Sequence, residues 1–283
     1  MRLDGRRQSS NYEDRRGKGG KTALIGGGAG AIIIALIAMF LGGNPSDVLQ
    51  QLGEQSVQTT EYTPTAQEEE LKTFALQILA STEDVWADQF RKAGRTSRAP
   101  KLVIYSGSVQ SGCGIATSAV GPFYCSADEC VYLDLDFFNE MPKSLGAGGD
   151  FAYAYVIAHE VGHHVEHLLG ILDEAHSQMA RQNEVKKNET SVRIELLADY
   201  YAGVWGYHEN RMFGSLEDGD LQEAIDAAQK IGDDYLQRRA RGTVSPESFT
   251  HGTSAQRMRW LKKGLQTGDM AGGNTFDVSY SSL

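Results

Sequence analysis

Four histidines and two glutamates fall between Ile157 and His167, in the run IAHEVGHHVEH. Their spacing offers a metal two registers. His159, Glu160 and His163 spell HExxH, while His163, Glu166 and His167 spell the inverted HxxEH, and His163 belongs to both. In a helix, positions i and i+4 lie about 40° apart around the axis and about 6 Å along it, so either histidine pair projects together and can grip one cation. The intervening glutamate then points to the adjoining side, where it can serve as a general base.

A third ligand is offered downstream in IELLADYYAG. Glu195 and Asp199 are four apart and share one helical face, and Ile194, Leu196, Leu197 and Ala198 around them suggest that this face enters the core. Zinc held by His159, His163 and Glu195 would keep a fourth position open, the arrangement of catalytic sites, while structural sites are closed. Asp199, one turn on, is placed to accept the remaining N–H of a ligand imidazole and fix its orientation. The same face of the first helix runs back through Ala152, Tyr155 and Val156, so His159 and His163 occupy its packed middle. His167 sits three residues before Gly170, in the last turn. The HExxH register is therefore favoured, with His164, Glu166 and His167 expected as polar surface or helix-end residues. His251, after a loop and before an apolar helix, is the candidate for stabilising an oxyanion. Tyr200, Tyr201 or a capping role for His251 are the alternatives.

Taken together, AYVIAHEVGHHVEHLLG, ELLADYYAGVWG, SGCGIATSAVGPFYC, VYLDLDFF and HGTSAQRMRW resemble the bacterial neutral zinc metallopeptidase family (YpfJ-like), a group of membrane-anchored HExxH zincins. The likeness covers nearly the whole chain. It implies a zincin fold of the gluzincin type, a Zn2+ cofactor with Glu195 as third ligand, and Asp199 behind the site. The expected function is hydrolysis of peptide bonds in extracytoplasmic or envelope proteins by a zinc-activated water, with Glu160 as general base. A non-catalytic zincin-fold envelope binding protein is the rival from another class. An HxxEH peptidase is the third reading.

These residues need elements to position them. Apolar spacing predicts helices over Gln67 to Ala93, with a break near Ser81, over Phe151 to Leu169, and from about Thr190 to Tyr207. Two more are expected near Leu221 to Arg239 and Ser254 to Leu265. Strands are expected at Lys101 to Tyr105 and at Val131 to Phe137, where apolar and polar residues alternate. The segment SAVGPFYC between them is extended, and Pro122, which cannot donate a ladder hydrogen bond, places it at a sheet edge. A peptide substrate adding to that edge would lie across the zinc helix. The fold class is α+β, a small, mostly antiparallel sheet with several helices, behind one N-terminal transmembrane helix.

Charge separates the N-terminus from the rest. Residues 1–21 carry seven Lys/Arg against three Asp/Glu, and the remainder holds 20 against 34. An acidic globular part argues against nucleic-acid binding. The uncharged run from Thr22 to Leu41 would reach about 30 Å as a helix, enough to cross a bilayer. The expected organisation is thus a basic cytoplasmic arm (1–21), an anchor (22–41), a polar linker (44–66) and a zinc metallopeptidase domain (67–283). Under the positive-inside rule this is a single-pass inner-membrane protein with its catalytic domain extracytoplasmic. The three cysteines, Cys113, Cys125 and Cys130, include no CxxC pair, which argues against a thiolate zinc site. A Cys113–Cys125 disulfide across a turn is the preferred pairing, with three small buried residues as the alternative.

Overall fold

A computed structural model of the chain describes residues 1–17 and 62–283. The described elements run β1 (Tyr12–Asp14), α1 (Ala66–Lys92), β2 (Lys101–Tyr105), β3 (Ser108–Ser111), β4 (Gly114–Thr117), β5 (Phe123–Cys125) and β6 (Cys130–Asp134). There follow α2 (Asp136–Glu140), α3 (Asp150–Leu168), α4 (Ile171–Met179), α5 (Glu184–Phe213), α6 (Asp220–Lys230), α7 (Asp233–Arg241) and α8 (Ser254–Thr267). The class is α+β, with few strands.

The main sheet has the order β1-β2-β6-β5. Both β1–β2 and β2–β6 are parallel, and only β5–β6 is antiparallel, so the expected mostly antiparallel sheet is corrected to a mixed one. The reason is connectivity: β1 comes from the N-terminal segment, and the β3–β4 hairpin and β5 intervene before β6 can lie beside β2. The period-2 pattern of the strands is read out on two faces. Leu102, Ile104, Val131 and Leu133 join the main core, while Val103, Tyr105, Cys130 and Tyr132 pack with Val109 of the hairpin. The polar side anticipated for β6 is consequently buried. Its Asp134 accepts from the Gly107 N–H and the Ser118 hydroxyl. Cys113 and Cys125 form the preferred disulfide, and Cys130 is a buried free thiol.

α1 is one unbroken helix that starts from a Thr65–Glu68 capping box. Ser81, read as a break, instead donates its hydroxyl to Glu209 and accepts from Trp205 Nε1. The helix expected over 221–239 divides at Gly232, where a Cβ would meet the Ser254 backbone nitrogen at 2.4 Å. A second close approach brings the two site helices together. A Cβ on Gly162 of α3 would lie 2.8 Å from the Ala198 carbonyl oxygen of α5, so glycine is what lets those backbones touch.

The expected anchor and its topology are not borne out. Residues 22–41 lie outside the described residues, and among the described residues no helix is long and apolar enough to cross a membrane. The stretch before residue 18 also shares a folded body with the stretch after residue 61. Tyr12, Glu13 and Asp14 are in register with Leu102, Val103 and Ile104. Segments on opposite sides of a bilayer could not share a backbone ladder, which overturns the single-pass arrangement with the N-terminus cytoplasmic and the domain outside. Among the described residues, arginines read as part of a positive-inside signal are engaged by acids of the same body. Arg6 pairs with Glu209, Arg7 with Glu83 and Asp84, and Arg16 with Asp14 and Glu69.

Candidate metal centre

The centre is built where α3, α5 and α8 meet. α3 presents His159, Glu160 and His163, and α5 presents Glu195 and Asp199. One ligand atom from each of His159, His163 and Glu195 falls within 4.8 Å of the others, a set that could hold a metal ion. His159 Nε2 is 3.2 Å from Glu195 Oε2, and His163 Nε2 is 3.6 Å from Glu195 Oε1. Both Nε2 atoms thus face one carboxylate.

The opposite nitrogens face outward to two further carboxylates. His159 Nδ1 is 2.9 Å from Asp199 Oδ1, and His163 Nδ1 is 2.9 Å from Glu166 Oε2. Asp199 is fully buried and also accepts from the Tyr155 hydroxyl at 2.6 Å. Arg257 of α8, itself buried, binds it through Nε to Oδ2 at 2.8 Å and Nη2 to Oδ1 at 2.9 Å. Burial alone would raise Asp199, but Arg257 and His159 hold it down to about 2. Burial would lower His159, yet its bond to Asp199 and the nearby Glu195 lift it to about 10. Glu160 is raised by burial.

The donor set fits a divalent cation on charge as well as on geometry. Glu160, Glu166, Glu195 and Asp199 gather four carboxyl groups at the centre, faced by the guanidinium of Arg257 and by His159 and His163, whose raised proton affinity reports the same pull on positive charge. Buried charge needs compensation. Two imidazoles and one carboxylate suit zinc, and they leave a coordination position free.

The centre opens into a cavity of about 300 Å³. Its walls include Gly121 to Tyr124, Phe137, Leu145, Val156 and Leu236, together with Glu160 and His251. β5 lies at the sheet edge, as Pro122 suggested, and borders this cavity. His251 is presented by a loop whose three successive backbone N–H groups, from Thr250, His251 and Gly252, donate to Asp233 Oδ2 at 2.8, 2.7 and 3.0 Å. The rival Tyr200 points elsewhere, donating to the Asp269 carbonyl, and Tyr201 packs edge-on against Trp86.

Comparison with known proteins then decides the family. The model of the family described as "Putative neutral zinc metallopeptidase" matches residues 1–276. The chain belongs to that family. "Uncharacterized protein YpfJ" of Escherichia coli (strain K12) is 47% identical over 287 aligned residues, covering 99% of this chain and 100% of the relative. "Uncharacterized protein Rv2575" of Mycobacterium tuberculosis (strain ATCC 25618 / H37Rv) is 43% identical over 190 residues, covering 64% of this chain and 63% of that protein. No solved structure matches the chain.

Sequence reasoning brought His159, Glu160, His163, Glu195, Asp199 and His251 forward, and all six lie at this centre or in its cavity wall. It missed Tyr155, noted only as part of the apolar face, and Arg257, which stood within HGTSAQRMRW without a role of its own. Glu166 and His164 need correction. Both are buried, not surface residues, and His164 bridges the Tyr124 hydroxyl at 2.9 Å and the Arg98 carbonyl at 2.8 Å. His167, at the helix end, faces Asp173 and Glu129 on the flank, away from Glu195.

Proposed function

We propose that the chain is a zinc-dependent peptidase in which His159, His163 and Glu195 hold the metal and Glu160 is the general base. The observation that carries this reading is the convergence of those three ligand atoms on a cavity that Glu160 also lines. Bound zinc lowers the pKa of its water to about 7 and polarises a carbonyl that approaches it.

The chain's own groups supply the remainder. The Glu160 carboxylate takes the proton of the attacking water and delivers it to the nitrogen of the leaving amine. Its burial raises its proton affinity and so favours that uptake. Asp199, oriented by Tyr155 and Arg257, holds His159 with its Nδ1–H outward and its Nε2 lone pair inward. His251, facing the same cavity, is the donor to the oxygen that becomes negative as the carbonyl is attacked. The peptide adds to the edge of β5, where main-chain hydrogen bonds give recognition with broad sequence tolerance.

The test is to incubate the purified protein with a denatured protein substrate, with and without a zinc chelator, and to identify the cleaved bonds by mass spectrometry. Cleavage abolished by chelator and restored by zinc is expected. Chelator-insensitive cleavage, or none with stoichiometric zinc present, refutes the reading.

A further inference from the structure

We propose that Glu166 is a positioning residue for His163, doing for the second histidine what Asp199 does for the first. This rests on the proposed zinc site. The geometry is parallel on the two sides: each histidine turns Nε2 toward Glu195 and meets a buried carboxylate with Nδ1 at 2.9 Å. A neutral imidazole has one N–H and one lone pair. When Nε2 gives its lone pair to a metal, Nδ1 must carry the hydrogen, and Glu166 Oε2 is the acceptor in reach.

The burial of Glu166 supports the assignment. Its side chain is 0% exposed, in the last turn of α3, a place where an apolar residue would cost nothing in desolvation. Asp199 offsets its burial with Tyr155, His159 and Arg257. For Glu166 the hydrogen-bond partner in the described structure is His163, and Oε1 meets no protein donor among the described residues. A carboxylate kept there with so little compensation is poorly explained as a stabilising feature. The partner it does have is a candidate ligand, which points to the site.

The two demands can be separated by substitution. Glu166→Leu removes the buried carboxylate and fills its space, so the zinc-free protein should keep or raise its melting temperature. Its zinc dissociation constant, measured by competition with a chelator of known affinity, should nevertheless weaken about 10- to 100-fold, the usual effect of losing an outer hydrogen-bond partner of a ligand. Glu166→Gln, closer in shape, should weaken zinc binding in the same direction. Nitrogen-15 spectra of the wild-type protein provide a readout that needs no variant: His163 should carry its hydrogen on Nδ1 and bind zinc through Nε2. Unchanged zinc affinity in the folded variants overturns the proposal while leaving the zinc site intact. So does a His163 that is protonated on Nε2 in the zinc-loaded protein. Wild-type protein that binds no zinc overturns the site and this inference together.

Discussion

Arg257 grips both oxygens of Asp199, and both side chains are buried. The fork joins α8 to α5 directly behind His159. Removing the guanidinium leaves a buried carboxylate without its countercharge, a loss of about 3–5 kcal/mol. Arg257→Met should therefore lower stability by that order in denaturant unfolding. Arg257→Lys keeps the charge but loses the planar fork, so it should fall between wild type and Arg257→Met. Equal stability of all three proteins would show that the pair is not a structural tie.

The closeness of the two site helices depends on a missing side chain. A Cβ at position 162 would meet the Ala198 carbonyl at 2.8 Å and its Cα at 3.1 Å, both backbone atoms that cannot rotate away. Gly162→Ala should push α3 from α5 at a cost of about 1–3 kcal/mol, the range for overpacking. It should also loosen zinc, because His163 is the next residue. A thermal melt together with a zinc competition assay checks both, and a variant with wild-type values in each would contradict the packing argument.

How much of this was legible in the sequence follows from the range of each signal. His159, His163, Glu195 and Asp199 stood out because i and i+4 spacing is local and survives whatever surrounds the helix. Glu166 did not, since a glutamate near a helix end reads as solvated, and its burial comes from elements distant in the chain. Arg257 became meaningful only when α8 packed against α5. The N-terminal arginines misled for the same reason. Arg6 meets Glu209 across 203 positions of sequence, and Arg7 and Arg16 also reach acids of α1, so part of the local excess of cations belongs to long-range pairs. In β6, alternation gave a strand, but it ends at Asp134, short of the expected Phe137, because α2 begins at Asp136, and alternation could not show the hairpin that covers its second face.

The cysteines make a simple chemical prediction. With Cys113 and Cys125 joined and Cys130 buried as a thiol, alkylation of denatured, unreduced protein should label one site, and peptide mapping should place it at Cys130. Burial raises the Cys130 thiol to about 11, so the folded protein at neutral pH should label slowly. Three labelled cysteines in the denatured, unreduced sample would exclude the bond.

The choice between the two overlapping motifs rests on His159 against His167, because His163 is common to both. His159→Ala removes one of the three converging candidate ligands and should lose zinc. His167→Ala, whose side chain faces Asp173 and Glu129, should retain it. Metal analysis of the two purified variants decides the register, and zinc lost only from His167→Ala would reverse it.

The most direct measurement for the peptidase account is zinc content and turnover on Glu160→Gln, side by side with wild type. Glu160 lines the cavity without belonging to the converging ligand set, so the variant should hold zinc at wild-type stoichiometry. Its rate of peptide hydrolysis should fall by about 10² to 10⁴, the usual contribution of a positioned general base. Full zinc with a rate indistinguishable from wild type would contradict the account.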